Sequence, residues 1–160
     1  MTPRKEIFIE VQKALKTINA IELVDLDRKQ YQKGKENYPG NFTAALIKSP
    51  RITYDTMVEG KIEGTAEIEV VLYCKDGWMD QHQNTADPNN GLIEIDIIDL
   101  IVEKLQFLFG DCFTPLEQNY EEENEIADND LMSYNISFTT KIFKTVKNPF
   151  PLKQKISLIN

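Results

Sequence analysis

Chemistry-bearing side chains are scarce in this chain of 160 residues, which has one histidine, two cysteines and one tryptophan. His82 lies in a polar stretch and is the sole histidine that could act as a general base near neutral pH. Cys74 closes an apolar segment and Cys112 follows a helical one, with neither in a CxxC or zinc-ligand spacing. Both are expected to be reduced, partly buried thiols; a site from Cys74, His82 and Cys112 would need a fourth ligand. No GxGxxG, P-loop, HExxH or GxSxG occurs, so the dinucleotide, nucleotide, zinc-protease and esterase chemistries those motifs serve have no foothold. No apolar run approaches the ~20 residues that span a bilayer. The start, Met1-Thr2-Pro3-Arg4-Lys5-Glu6, lacks the apolar stretch of a secretory signal, so synthesis in the cytoplasm is expected, with no membrane partner. With none of those motifs, no cofactor is expected either.

What is present is the composition of a globular protein: 41% apolar and 28% charged residues, enough for one domain over residues 1–146 with a tail over 147–160. The net charge of -8 argues against general nucleic-acid binding, which rests on clustered Lys and Arg. The charge is unevenly placed. Residues 121–130 hold six acids (Glu121, Glu122, Glu123, Glu125, Asp128, Asp130), whereas residues 141–160 hold five lysines and no acid. This pattern reads either as a solvated acidic loop beside a basic tail or as an asymmetry that steers one copy onto another.

Hydrophobic spacing orders the chain. Ile7, Val11, Leu15 and Ile18 predict a helix over about 3–18, with Thr2 as its N-cap and Pro3 in its first turn. Ile21 to Leu26 reads as a short extended stretch, and residues 27–35 are too polar to form core. After the turn Asn37-Tyr38-Pro39-Gly40, Phe42 to Ile47 is apolar enough for a strand covered on both faces. Arg51 to Val58 gives a more polar strand, with Glu59-Gly60-Lys61 as a hairpin tip. Ala66, Ile68, Val70, Leu72 and Cys74 then alternate with Thr65, Glu67, Glu69, Val71 and Tyr73, so the second face changes from acidic to apolar halfway along. Residues 75–90 form a long polar loop in which Trp78 is either an interface anchor or a lid on the core. A second helix carries Ile97, Ile101, Leu105 and Leu108, flanked by Ile98, Val102 and Phe109 and closed by Gly110. Met132, Tyr134, Ile136, Phe138, Thr140 and Ile142 alternate with Ser133, Asn135, Ser137, Thr139 and Lys141, a long strand with a hydroxyl-rich outer face. The tail resumes apolar character at Phe150, Leu152, Ile156, Leu158 and Ile159 and would dock on its own or a neighbouring subunit. The fold class is therefore α+β, with a mixed or antiparallel sheet of about four strands and two helices packed on one face.

The order helix, strands, helix, strand, with Asn37-Tyr38-Pro39 leading into Phe42-Thr43-Ala44-Ala45-Leu46-Ile47, resembles the tail-terminator, or tail-completion, proteins of long-tailed bacteriophages. The resemblance spans roughly Arg4 to Thr145 and covers neither the acidic segment nor the lysine-rich tail. It implies a non-enzymatic virion protein that closes into a ring, usually a hexamer, at the head-proximal end of the tail tube. Its partners would be further copies of itself, the tail-tube protein and a neck or head-completion protein, with DNA passing through the lumen without specific binding. The interface expected on that basis draws Glu67, Glu69, Glu121, Glu122 and Glu123 against Lys144, Lys147, Lys153 and Lys155 of the next copy, with Trp78 and Phe150 as apolar anchors. A different class, a small acidic immunity or inhibitor module, would use residues 121–130 to neutralise a basic partner. A third, a metal-dependent enzyme of nuclease type, would hold Mg2+ or Ca2+ through the cluster Glu121 to Asp130, with Glu122, Asp128 and Asp130 as the residues to test, but Asp128-Asn129-Asp130 lacks the glycine and the distant glutamate of a calcium loop.

Overall fold

A single six-stranded sheet carries both helices on one face, as a computed structural model describes it over residues 3–32, 43–58, 60–74, 83, 86–89, 91–109, 117–126 and 131–146. In chain order the elements are α1 (Pro3–Leu15), β1 (Leu23–Leu26), a short 3-10 turn (Gln30–Gln32), β2 (Thr43–Lys48), β3 (Ile52–Val58), β4 (Lys61–Cys74), α2 (Ile93–Leu105), β5 (Glu117–Ile126) and β6 (Leu131–Thr145). The class is α+β, with two strands more than the sequence suggests.

The sheet runs β1-β2-β4-β6-β5, with β1 parallel to β2 and the remaining pairings antiparallel. β4 is its spine. One edge of β4 is shared, β2 taking Glu69 to Cys74 and β3 taking Lys61 to Ala66, while the other edge pairs with β6 from Lys61↔Thr145 to Cys74↔Met132. Gly60, at φ +79, closes the β3–β4 turn, and its carbonyl accepts the Val146 N–H at 2.7 Å. A left-handed φ suits glycine because it has no Cβ to clash.

Strand alternation sends Ala66, Ile68, Val70, Leu72 and Cys74 toward the helices, where they join Ile136, Phe138 and Ile142 of β6. Ile7, Val11 and Leu15 of α1 and Ile97, Ile98, Ile101 and Leu105 of α2 close this main core. Each such aliphatic side chain contributes about 1.5–3 kcal/mol on burial. Helix α1 stops at Leu15, three residues short of the expected end, because the next turns close as Thr17 N–H to Ala14 O and Ile18 N–H to Leu15 O. Those tight turns still deliver Ile18 and Ile21 to the core. Helix α2 likewise ends at Leu105, before the glycine at 110: Phe107 takes the left-handed conformation at φ +70 and leaves its ring exposed. Thr2, Gly110 and the segment 37–42 lie outside the described residues, as do Trp78 and His82.

The other face has its own small core, which overturns the expectation that residues 27–35 are too polar to form core. Tyr31 is 1% exposed, stacks on Tyr73 with ring centroids 4.5 Å apart, and joins Ala44, Leu46 and Val71. The polar residues before it build the turn that aims it. Asp27 Oδ1 accepts the Lys29 N–H at 2.8 Å, Gln30 Oε1 accepts the Arg28 N–H at 2.7 Å, and Gln30 Nε2 donates to Leu26 O at 2.9 Å. Side chains that bond local backbone groups favour such turns over regular structure.

Two further expectations change. Most of the acidic segment is not a loop: residues 121–126 belong to β5, which pairs with β6 from Glu117↔Thr139 to Ile126↔Leu131 around a bulge at Asn119. An edge strand keeps one side toward water, so it tolerates charge that a central strand would not. That pairing makes β6 an interior strand, so its hydroxyl-rich face is not simply outward. Ser133, Asn135 and Ser137 are buried, opposite Tyr73, Val71 and Glu69 of β4.

Candidate functional site

The charged residues singled out from the sequence fall into three places rather than one patch. Glu67 and Glu69 stand on β4 on the face away from the helices, opposite Thr139 and Ser137. Glu69 is already committed within its own chain. Its Oε2 lies 2.5 Å from Lys48 Nζ, which β2 places directly opposite it, and accepts a 3.4 Å hydrogen bond from Asn135 Nδ2. Its side chain keeps only 13% exposure, so it contributes little to any acidic surface. The Asn135 Oδ1 is buried and meets no hydrogen-bond donor among the described residues.

The second place is the β5 edge of the sheet, beside which no further strand lies among the described residues. β5 ends the strand order, and Glu117, Asn119, Tyr120, Glu121 and Glu122 are exposed along it. Glu121 lies opposite Ile136 and Glu122 opposite Asn135, so successive residues address opposite faces of the sheet. The Glu121 carboxylate is held by Gln118 Nε2 on one oxygen and by the Tyr134 hydroxyl at 3.4 Å on the other. The register sets Glu123 opposite Tyr134 and Glu125 opposite Met132, which puts a glutamate at every second position from 121 to 125. Two sheet spacings of ~4.8 Å separate β4 from β5, so Glu67 stands about 10 Å across the sheet from β5.

The third place is the far end of the sheet, beyond the helices, where β3, β4 and β6 continue alone. Lys144 lies over the Tyr54 ring at 5.9 Å, and Tyr54 in turn lies opposite Gly64. A Cβ on residue 64 would stand 2.4 Å from the Thr53 carbonyl oxygen, so glycine is what lets β3 close in here. Lys141 bridges to Glu63 at 3.4 Å. Lys144 is thus on the helix side of the sheet while Glu67 is on the other, and no single chain brings the two together. Lys147, Phe150, Lys153, Lys155 and Trp78 lie outside the described residues.

Cys74 is unsuited to nucleophilic work. Burial, reinforced by the nearby Glu94 charge and opposed by a hydrogen bond with Thr43, pushes its thiol up to about 12, so it stays protonated at neutral pH. Burial and then Glu22 likewise raise the Tyr31 phenol to about 12. Among the described residues no three His, Cys, Asp or Glu side chains converge as a metal set would require. Asp128 and Asp130 fall outside them. A cleft of about 230 Å3 beside α1, lined by Arg4, Phe8, Leu26, Asp27 and Lys48 among others, falls short of the ~300–1,000 Å3 usual for small-molecule sites. No helix among the described residues is long and apolar enough to cross a membrane.

Sequence reasoning missed Tyr120, exposed on the β5 edge, and Lys48, which takes Glu69 out of play. Two-residue alternation could have put Lys48 and Glu69 on one face of adjacent strands, but their meeting is set by the β2–β4 register, which alternation does not give. Comparison of the chain with protein-family models finds no match, and comparison with curated protein sequences finds none either.

Proposed function

We propose that the chain is a structural protein of a long-tailed bacteriophage, a tail terminator without enzymatic activity. Copies of it close into a ring at the head-proximal end of the tail tube, end tube polymerisation and offer a surface to the neck or head. The observation that carries this reading is the arrangement of a helix, a sheet, a second helix and a closing β5–β6 hairpin whose acidic outer strand is unpaired on one side among the described residues. A ring needs a heterologous interface, that is, two different complementary patches on each subunit. The glutamates of β5 supply one patch, and the acid-free lysine stretch over 141–160 supplies the other. Acidic strands around a lumen would also repel the phosphates of passing DNA. The proposed location is accordingly the virion, in its tail or neck.

Negative-stain electron microscopy of the purified protein tests the reading. Closed rings of uniform diameter with a central hole are expected; isolated particles of subunit size at every concentration would overturn it. The exposure of Glu117, Glu121 and Glu122 along β5 also favours a second reading, an acidic module that captures a basic protein. That reading predicts a one-to-one complex with the basic partner and no self-association.

A further inference from the structure

We infer that the outer edge of β5 accepts residues 152–159 of a second copy as an added strand, so that the sheet continues from one subunit into the next. The inference rests on the self-assembly proposed above and names its contact.

An unpaired strand edge offers a row of N–H and C=O groups that another extended segment can satisfy. Among the described residues nothing pairs with the outer edge of β5. Two β5 edges do not suit each other, because Glu117, Glu121, Glu122, Glu123 and Glu125 would set like charges face to face. The edge calls for a basic strand. Residues 152–159, Leu-Lys-Gln-Lys-Ile-Ser-Leu-Ile, alternate Lys153 and Lys155 with Leu152, Gln154 and Ile156, and lysine at every second position matches the glutamates at 121, 123 and 125. Pro149 and Pro151 lack the N–H that a ladder needs and set the start of the added strand at about residue 152. Eight residues then face the seven of Tyr120 to Ile126 beyond the bulge.

Chain length decides that the strand comes from another copy. β6 carries the chain away from β5, and Val146 follows the Thr145↔Lys61 pair at the far end of the sheet. Glu121 pairs with Ile136, ten positions back along β6, or about 33 Å at ~3.3 Å per residue. Fully stretched, Lys155 reaches about 32 Å from Val146 and Lys153 about 25 Å, before any length is spent on reversing direction. A chain therefore cannot lay Lys153 and Lys155 along its own Glu121, Glu123 and Glu125.

Charge exchange between full-length chains tests this. One variant carries Glu121→Lys, Glu123→Lys and Glu125→Lys; the other carries Lys153→Glu and Lys155→Glu. Each alone opposes like charges and should remain at subunit mass by light scattering at concentrations where the wild type assembles. Mixed one to one, each tail meets an opposite edge, and the wild-type mass should return. A milder chain with Lys153→Gln and Lys155→Gln leaves the sheet untouched and should need roughly tenfold more protein for half-assembly, about 1.4 kcal/mol per contact. Assembly of both charge-reversed variants at the wild-type mass, or a glutamine variant indistinguishable from wild type, would overturn the strand addition and leave the ring standing. A wild type that stays at subunit mass at every concentration would overturn both.

Discussion

Replacing Tyr31 with alanine should cost the fold about 3–5 kcal/mol, a large effect for one residue in a stretch that reads as a polar loop. The ring is 1% exposed and packs against Tyr73, Ala44, Leu46 and Val71, so alanine removes most of a buried aromatic side chain and leaves a void over the sheet. The stack with Tyr73, 4.5 Å between centroids and 25° between planes, supplies about 0.5–1.5 kcal/mol of that total. Tyr31→Leu keeps apolar volume and loses the stack, and its cost should fall well below that of alanine. Tyr54→Ala provides the contrast, since Tyr54 is 48% exposed on the projecting end of the sheet. Urea unfolding followed by circular dichroism reads the differences as shifts in midpoint at constant slope. A loss under 1 kcal/mol for Tyr31→Ala would mean that the turn does not dock, and the second core would have to be abandoned.

Raising the pH should destabilise the fold between about 9 and 12. In the folded state Cys74 and Tyr31 both ionise only near 12, whereas in the unfolded chain they ionise near 9 and 10, so their contribution is complete below pH 9 and lost as pH rises through 12. Thermal melts across that range check it; a melting temperature flat from pH 8 to 11 would contradict it. Lys48→Met should cost about 1–2 kcal/mol by leaving the Glu69 carboxylate, 13% exposed, with Asn135 as its described partner, and Glu69→Gln should restore part of that loss in the Lys48→Met background. Denaturant titration of the two single variants and the double variant gives the coupling. Gly64→Ala should cost about 1–3 kcal/mol, because its Cβ would meet the Thr53 carbonyl oxygen at 2.4 Å and push β3 off β4. A lowered melting temperature would record it, and an unchanged one would show that β3 moves freely.

The helix-side core was legible because each of its elements repeats at one period: Ile7, Val11 and Leu15 at helical spacing, Ala66 to Cys74 at strand spacing, and Ile97, Ile101 and Leu105 again at helical spacing. Tyr31 was not, because a lone aromatic has no period and its place is fixed by the turn-forming side chains of Asp27 and Gln30. From residue 121, β5 has the sequence of a loop because contiguous acids carry no apolar alternation; the strand exists through pairing with β6, a long-range contact that composition does not report. The burial of Ser133, Asn135 and Ser137 follows from the same fact, since an interior strand is shielded from both sides. Of the expected interface, Glu67, Glu121 and Glu122 were placed by their strands, while Glu69 was lost to Lys48, a partner in space that is 21 residues away in sequence. Helix α2 ends early because Phe107, not a glycine, adopts the left-handed turn, which no propensity would select.

The absolute mass of the wild-type chain, measured by light scattering behind size exclusion across protein concentration and salt, tests the ring most directly. The account requires one discrete species near six times the 18.5 kDa subunit mass, weakened by salt as its charged contacts are screened. A mass of 18.5 kDa at every concentration, or a species that grows without limit, would contradict it.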